Sequence, residues 1–70
     1  MDEKDFLERM KVILDKEDIS IDTSLSDLEE WDSISVISYV ALANTSFNKE
    51  ISPEQIQTCK TIRDLYSILQ

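Results

Sequence analysis

The sequence predicts an all-α fold: a small bundle of three main helices plus one short helix, with a long first loop. Three observations predict it. Apolar side chains recur at helical spacing near both ends of the chain. An uncharged central stretch lacks the period-2 alternation of a strand, and helix-cap residues punctuate the second half. The 70 residues are read as one domain, 1–70, near the lower size limit for folding alone.

The first helix is expected from about residue 2 to residue 15. In "DEKDFLERMKVILDK", Phe6, Leu7, Met10, Ile13 and Leu14 follow the spacing of one helical face, and acids fill the first turn, which suits the helix dipole. The next segment, "KEDISIDTSLSDLEEWD", has no sustained period. Ile19, Ile21, Leu25 and Leu28 stand singly among polar residues, so it reads as a long loop pinned to the core, with a short turn at "SDLEE". The second helix is expected over "SISVISYVALANTS", capped by Asp32 or Ser33. Its apolar residues lie almost all round, which predicts a central, buried helix. In "ISPEQIQ", Ser52 suits an N-cap, Pro53 the first helical position and Gln55 the reciprocal place in a capping box. The last helix is capped by Thr61 and buries Ile62, Leu65, Tyr66 and Leu69.

Composition excludes several functions. The chain has no glycine, hence no Gly-rich phosphate loop, and no histidine, hence neither the commonest general base nor the commonest metal ligand. The acids also fail the spacing of a calcium loop, so no metal site is expected. Cys59 stands alone and reads as a small half-buried residue, with no disulfide framework. No apolar run spans a bilayer and the N-terminus is too acidic for a signal peptide, which makes a cytoplasmic protein the expectation; a monomer is expected as well.

Net charge is −8, and all of the excess lies upstream of Ser33: residues 1–32 hold twelve acids against four bases, whereas residues 33–70 hold three of each. Such a field repels nucleic acid and attracts basic protein surfaces.

Ser33 is the residue to explain. As a nucleophile it lacks a histidine partner and the glycines of a nucleophile elbow. As a helix cap or as an attachment point it is equally at home. A phosphodiester on its oxygen would meet first-turn N–H groups and the helix dipole, while Asp32 and the acids before it would repel the phosphate. An enzyme making that bond is therefore expected to bring cations. Trp31 reads as an anchor packing the loop end against the bundle, and also as a possible partner contact.

Together, "TSLSDLEEWDSISVISYVALANTSFNKEISPEQIQTCKTIRDLYSIL" resembles an acyl carrier protein. Asp32 and Ser33 match that family's Asp-Ser pair, with Ile34 in place of the usual leucine. Phe47 matches the aromatic closing the second helix, and "EISPEQI" and "KTIRDLYSIL" match the downstream elements. The resemblance implies an acyl-carrier-like bundle and no enzymatic activity. It implies 4′-phosphopantetheine attached to Ser33, beside Asp32, by a Mg-dependent phosphopantetheinyl transferase that uses coenzyme A. It also implies acyl groups carried as thioesters between acyl-loading and acyl-transfer enzymes. Val36, Ile37, Val40, Ala41 and Ile56 are expected to line the acyl chain's path, though each is also at home in an ordinary core.

Carriers of primary fatty acid synthesis have an acidic second helix, and this one is uncharged. "WDS" resembles stand-alone carriers of lipid, polysaccharide or secondary-metabolite pathways. Partners with basic patches are expected on Asp27, Glu29, Glu30 and Asp32, with Trp31 and Ile34 beside them. A discrete peptidyl or aminoacyl carrier, and an unmodified acidic adaptor, are the competing readings.

Overall fold

A computed structural model describes residues 1–70. Helix α1 (Glu3–Leu14) leads through a long loop, with a 3₁₀ turn at Leu25–Asp27, into α2 (Ser33–Phe47). Two short helices follow, α3 (Pro53–Gln57) and α4 (Ile62–Ser67). This is the all-α bundle that the helical spacings predict. The last helix is shorter than its apolar pattern implies. After Ser67 the chain tightens into i+3 bonds, Leu69 N–H to the Tyr66 carbonyl and Gln70 N–H to that of Ser67.

Local side-chain chemistry sets the helix ends. Asp2 accepts from the Asp5 amide at 2.9 Å, and capping boxes pair Asp32 with Ser35, Ser52 with Gln55 and Thr61 with Asp64. In a chain without glycine, Asp15 and Asn48 supply the left-handed residues that end α1 and α2, at φ 52° and 53°.

The core is one cluster of thirteen buried apolar residues. Phe6 and Tyr39 lie at its centre, edge to face with centroids 6.3 Å apart, and Phe6 also meets Phe47 and Tyr66. The Tyr39 hydroxyl donates to the Leu65 carbonyl at 2.6 Å, joining α2 to α4. Burial pushes the Tyr39 pKa well above its ordinary value, so the group stays a neutral donor.

The long loop is laced to the far end of the chain. Leu25 N–H donates to the Lys60 carbonyl (2.8 Å), Ile62 N–H to that of Thr23 (3.2 Å) and Arg63 N–H to that of Ile21 (2.7 Å). The Arg63 guanidinium adds 3.1 Å ion pairs to Asp22 and Glu3. Ile19, Leu25 and Leu28 are buried, as the pinned-loop reading expects. No helix is long and apolar enough to cross a membrane.

One expectation fails. Helix α2 is not buried all round: its core face is Ser35, Tyr39, Leu42 and Ala43, whereas Ile34 is 74% and Ile37 68% exposed. The reason is coverage. The five residues of α3 are too few to cover the remaining side of a fifteen-residue helix.

Two predictions follow from this packing. Tyr39→Phe leaves the Leu65 carbonyl without its donor and is expected to cost about 1–3 kcal/mol, read from urea denaturation at pH 7. The second concerns Asp64, whose carboxylate accepts from the amides of Lys60 (2.8 Å) and Thr61 (3.2 Å). These bonds hold its pKa below the ordinary 3.8. A folded pKa below the unfolded one means that this stabilisation is complete at pH well above 3.8 and is lost as pH falls through the lowered folded value. Asp64→Asn is therefore expected to be the less stable protein at neutral pH, with the difference from wild type shrinking below pH 3.8.

Candidate functional site

Ser33 is the first residue of α2 and is exposed. The cap is Asp32: its Oδ1 accepts from the amides of Ile34 (3.0 Å) and Ser35 (3.1 Å). Ser35 Oγ returns the bond, accepting from the Asp32 amide at 2.8 Å, and lies 2.8 Å from the Glu30 carbonyl, to which it donates. Ser35 is the buried polar side chain of this fold, at 4% exposure, and sequence reasoning passed over it. The acidic residue before a helix and the serine three positions later carried the signal. Together they bolt the loop end to α2 and leave the Ser33 hydroxyl outside the box.

This changes the electrostatics expected at Ser33. Two first-turn amides already serve the Asp32 carboxylate, and the Val36 amide donates to the Asp32 carbonyl at 2.9 Å. A phosphate on Ser33 would therefore lie beside a carboxylate that holds the helix-end N–H groups. Positive charge has to come from the partner.

Next to Ser33 a cleft of about 540 Å³ runs between α2 and the α3 region, with Val36, Ile37, Val40, Ile51, Pro53 and Ile56 among its walls and Gln57 as a polar member. Four of the five residues expected on an acyl path, Val36, Ile37, Val40 and Ile56, are brought together here. Ala41 is not. It lines a separate cleft with Val12 and Ser38, because a step of about 100° per residue carries it round from Val40 toward α1. Ile51 was missed as lining, although its place before Ser52, five residues ahead of Ile56, is that of a hydrophobic staple.

The acidic residues divide. Asp27, Glu29 and Asp32 are exposed, whereas Glu30 is half-buried with its Oε2 3.8 Å from Lys16 Nζ. Lys16 also pairs with Asp18 at 3.3 Å, and its pKa is raised by Asp18 first and by Glu30 and Glu29 after it. The run from Glu17 to Asp32 lacks a base in sequence, yet one folds back onto it. Trp31 is half-buried and meets Tyr39 edge-on, centroids 5.9 Å apart, as an anchor of the loop end. Cys59 is half-buried; burial, then the Asp64 charge, push its thiol pKa up, and its Sγ lies 3.5 Å from the Gln55 carbonyl. No three His, Cys, Asp or Glu side chains converge on a point that would hold a metal ion.

An exposed hydroxyl outside its helix cap, opening onto an apolar cleft, fits the attachment of a long flexible group with an apolar load. Comparison with known proteins bears on the attachment, not on the load. The family described as "phosphopantetheine attachment site" matches residues 5–69. No curated protein and no solved structure matches the chain. Nearly the whole chain is covered, so it belongs to the phosphopantetheine attachment-site family, whose domains bear 4′-phosphopantetheine covalently and work with a phosphopantetheinyl transferase and partner enzymes without catalysing a reaction themselves.

Proposed function

We propose that Ser33 bears the phosphopantetheine and that the cargo is an acyl group, held as a thioester and passed between enzymes of a specialised lipid, polysaccharide or secondary-metabolite pathway. One observation carries this reading: the exposed Ser33 hydroxyl adjoins a cleft whose walls, Val36, Ile37, Val40, Ile51, Pro53 and Ile56, are apolar. An aminoacyl cargo would bring an ammonium group, and no acid lines the cleft to receive it.

In the attachment step, Ser33 Oγ bonds the phosphorus on the pantetheine side of coenzyme A. The pyrophosphate bond breaks, adenosine 3′,5′-bisphosphate leaves, and the hydroxyl proton passes to a base of the transferase. Once attached, the group supplies a flexible arm with a terminal thiol. The chain's own residues hold Ser33 at a fixed helix end, through Asp32 and Ser35, and offer the cleft to the acyl chain. Tethering raises the cargo's effective concentration at each partner site.

Partner enzymes with basic patches approach over Asp27, Glu29, Glu30 and Asp32, with Trp31 and Ile34 at the edge of the contact. The uncharged α2 supports a role other than primary fatty acid synthesis, since nothing on that helix answers a basic patch.

Intact mass measured after incubation with coenzyme A, Mg²⁺ and a broad-specificity transferase tests the attachment. The wild type is expected to gain one phosphopantetheine unit and Ser33→Ala none; a gain in the variant would move the site elsewhere. Neutralising Asp27, Glu29, Glu30 and Asp32 to their amides is expected to slow both modification and acyl transfer, with a weaker salt dependence of the rates. Unchanged rates in that variant would remove the acids from the docking surface.

A further inference from the structure

The cleft beside Ser33 is open to solvent, and one side chain closes the way from it into the core. Tyr39 adjoins Val36 and Val40 on α2, three residues after the first and one before the second, on the side of the helix that turns to the core. From there it crosses the interior, and its hydroxyl donates to the Leu65 carbonyl on α4 at 2.6 Å. The ring is fixed on two sides, edge-on to Phe6 at 6.3 Å and to Trp31 at 5.9 Å between centroids. Tyr39, Phe6, Ile62 and Leu65 are wholly buried. The clefts of the molecule all open at its surface, and no residue of α4 lines any of them. The space between α2 and α4 is thus taken by the Tyr39 ring.

We propose that Tyr39 limits the cargo this chain shelters to short and medium acyl groups, of up to about eight carbons, and leaves the rest of a longer chain in solvent. The inference rests on the reading of Ser33 as the attachment point and of the cleft as the seat of an acyl cargo. The α2 wall of the cleft runs from Ser33 to Val40, a rise of about 10 Å, which about eight extended carbons cover. Going deeper means displacing Tyr39. That would strip a buried carbonyl of its donor and part the ring from Phe6 and Trp31 together. Each further methylene gains by burial one at a time, whereas those losses occur all at once, before the first methylene enters the core.

Thermal unfolding of the loaded chain tests this. The full chain is loaded on Ser33 by a broad-specificity transferase with Mg²⁺ from butanoyl-, octanoyl-, dodecanoyl- and hexadecanoyl-coenzyme A, and intact mass checks each product. The midpoint is expected to rise by roughly 5–10 °C from butanoyl to octanoyl, and by less than about 1 °C from octanoyl to hexadecanoyl. Trp31 is the single tryptophan and meets the Tyr39 ring, so its emission is expected to stay constant along the series. Tyr39→Leu, with its fold checked by circular dichroism, is expected to move the plateau beyond octanoyl. A merely structural role for Tyr39 would lower every midpoint and leave the plateau at octanoyl.

A wild-type midpoint that keeps rising through hexadecanoyl would overturn the limit, as would a shift in Trp31 emission with the longer chains. Both are read without the variant, so they decide the matter even if Tyr39→Leu does not fold. A plateau still at octanoyl in folded Tyr39→Leu would overturn Tyr39 as the cause. Equal midpoints for every acyl form and for the unacylated phosphopantetheine form would take the cargo out of the cleft, and the limit with it, while leaving Ser33 modified. If the wild type gained no mass at all, the reading of Ser33 would fail first.

Discussion

The amides of Ile62 and Arg63, donating to the carbonyls of Thr23 and Ile21, form the constraint on which the rest of the structure depends. These are first-turn N–H groups of α4, which have no partner within their own helix. The long loop satisfies them and is held in return. Without that exchange, a segment with seven acids between Glu17 and Asp32 would tend to expand by its own repulsion. With it, Leu25 and Leu28 reach the core, Trp31 meets Tyr39, and the capping box at Asp32 and Ser35 forms at a defined place. The exposed Arg63 pairs add little energy, but they bring α1, the loop and α4 to one point.

The site therefore combines a fixed base and an open face. Ser33 sits on a helix end bolted by bonds on both sides, while its own hydroxyl stays outside them. On one side lies an apolar cleft, on the other an acidic turn, and along α2 two bare isoleucines. Three kinds of surface meet at one residue. On the proposed reading, a carrier has to serve a load and a series of partner enzymes, and each of these surfaces would offer a separate chemistry.

What the sequence disclosed is what local chemistry decides. The caps at Asp32, Ser52 and Thr61 were legible because a side chain bonding an amide two or three residues on needs nothing from elsewhere. The stripe Phe6, Met10, Leu14 was legible because one face of α1 is core and the rest is not. The bareness of Ile34 and Ile37 was not, since it depends on what α3 fails to cover. Nor was the return of Lys16 to Glu30, fourteen residues on in the chain, or the lacing of the loop to α4. Ala41 was misplaced because an almost wholly apolar helix carries little pattern to say which side faces which neighbour.

Cys59 has one further consequence. Thiolates, not thiols, attack thioesters, and the pKa of Cys59 is raised by burial and by the Asp64 charge. A second thiol on the same small molecule would otherwise be a sink into which cargo could migrate and be stranded. Half-buried and with its pKa pushed up, Cys59 would compete poorly for a thioester cargo of the kind proposed above.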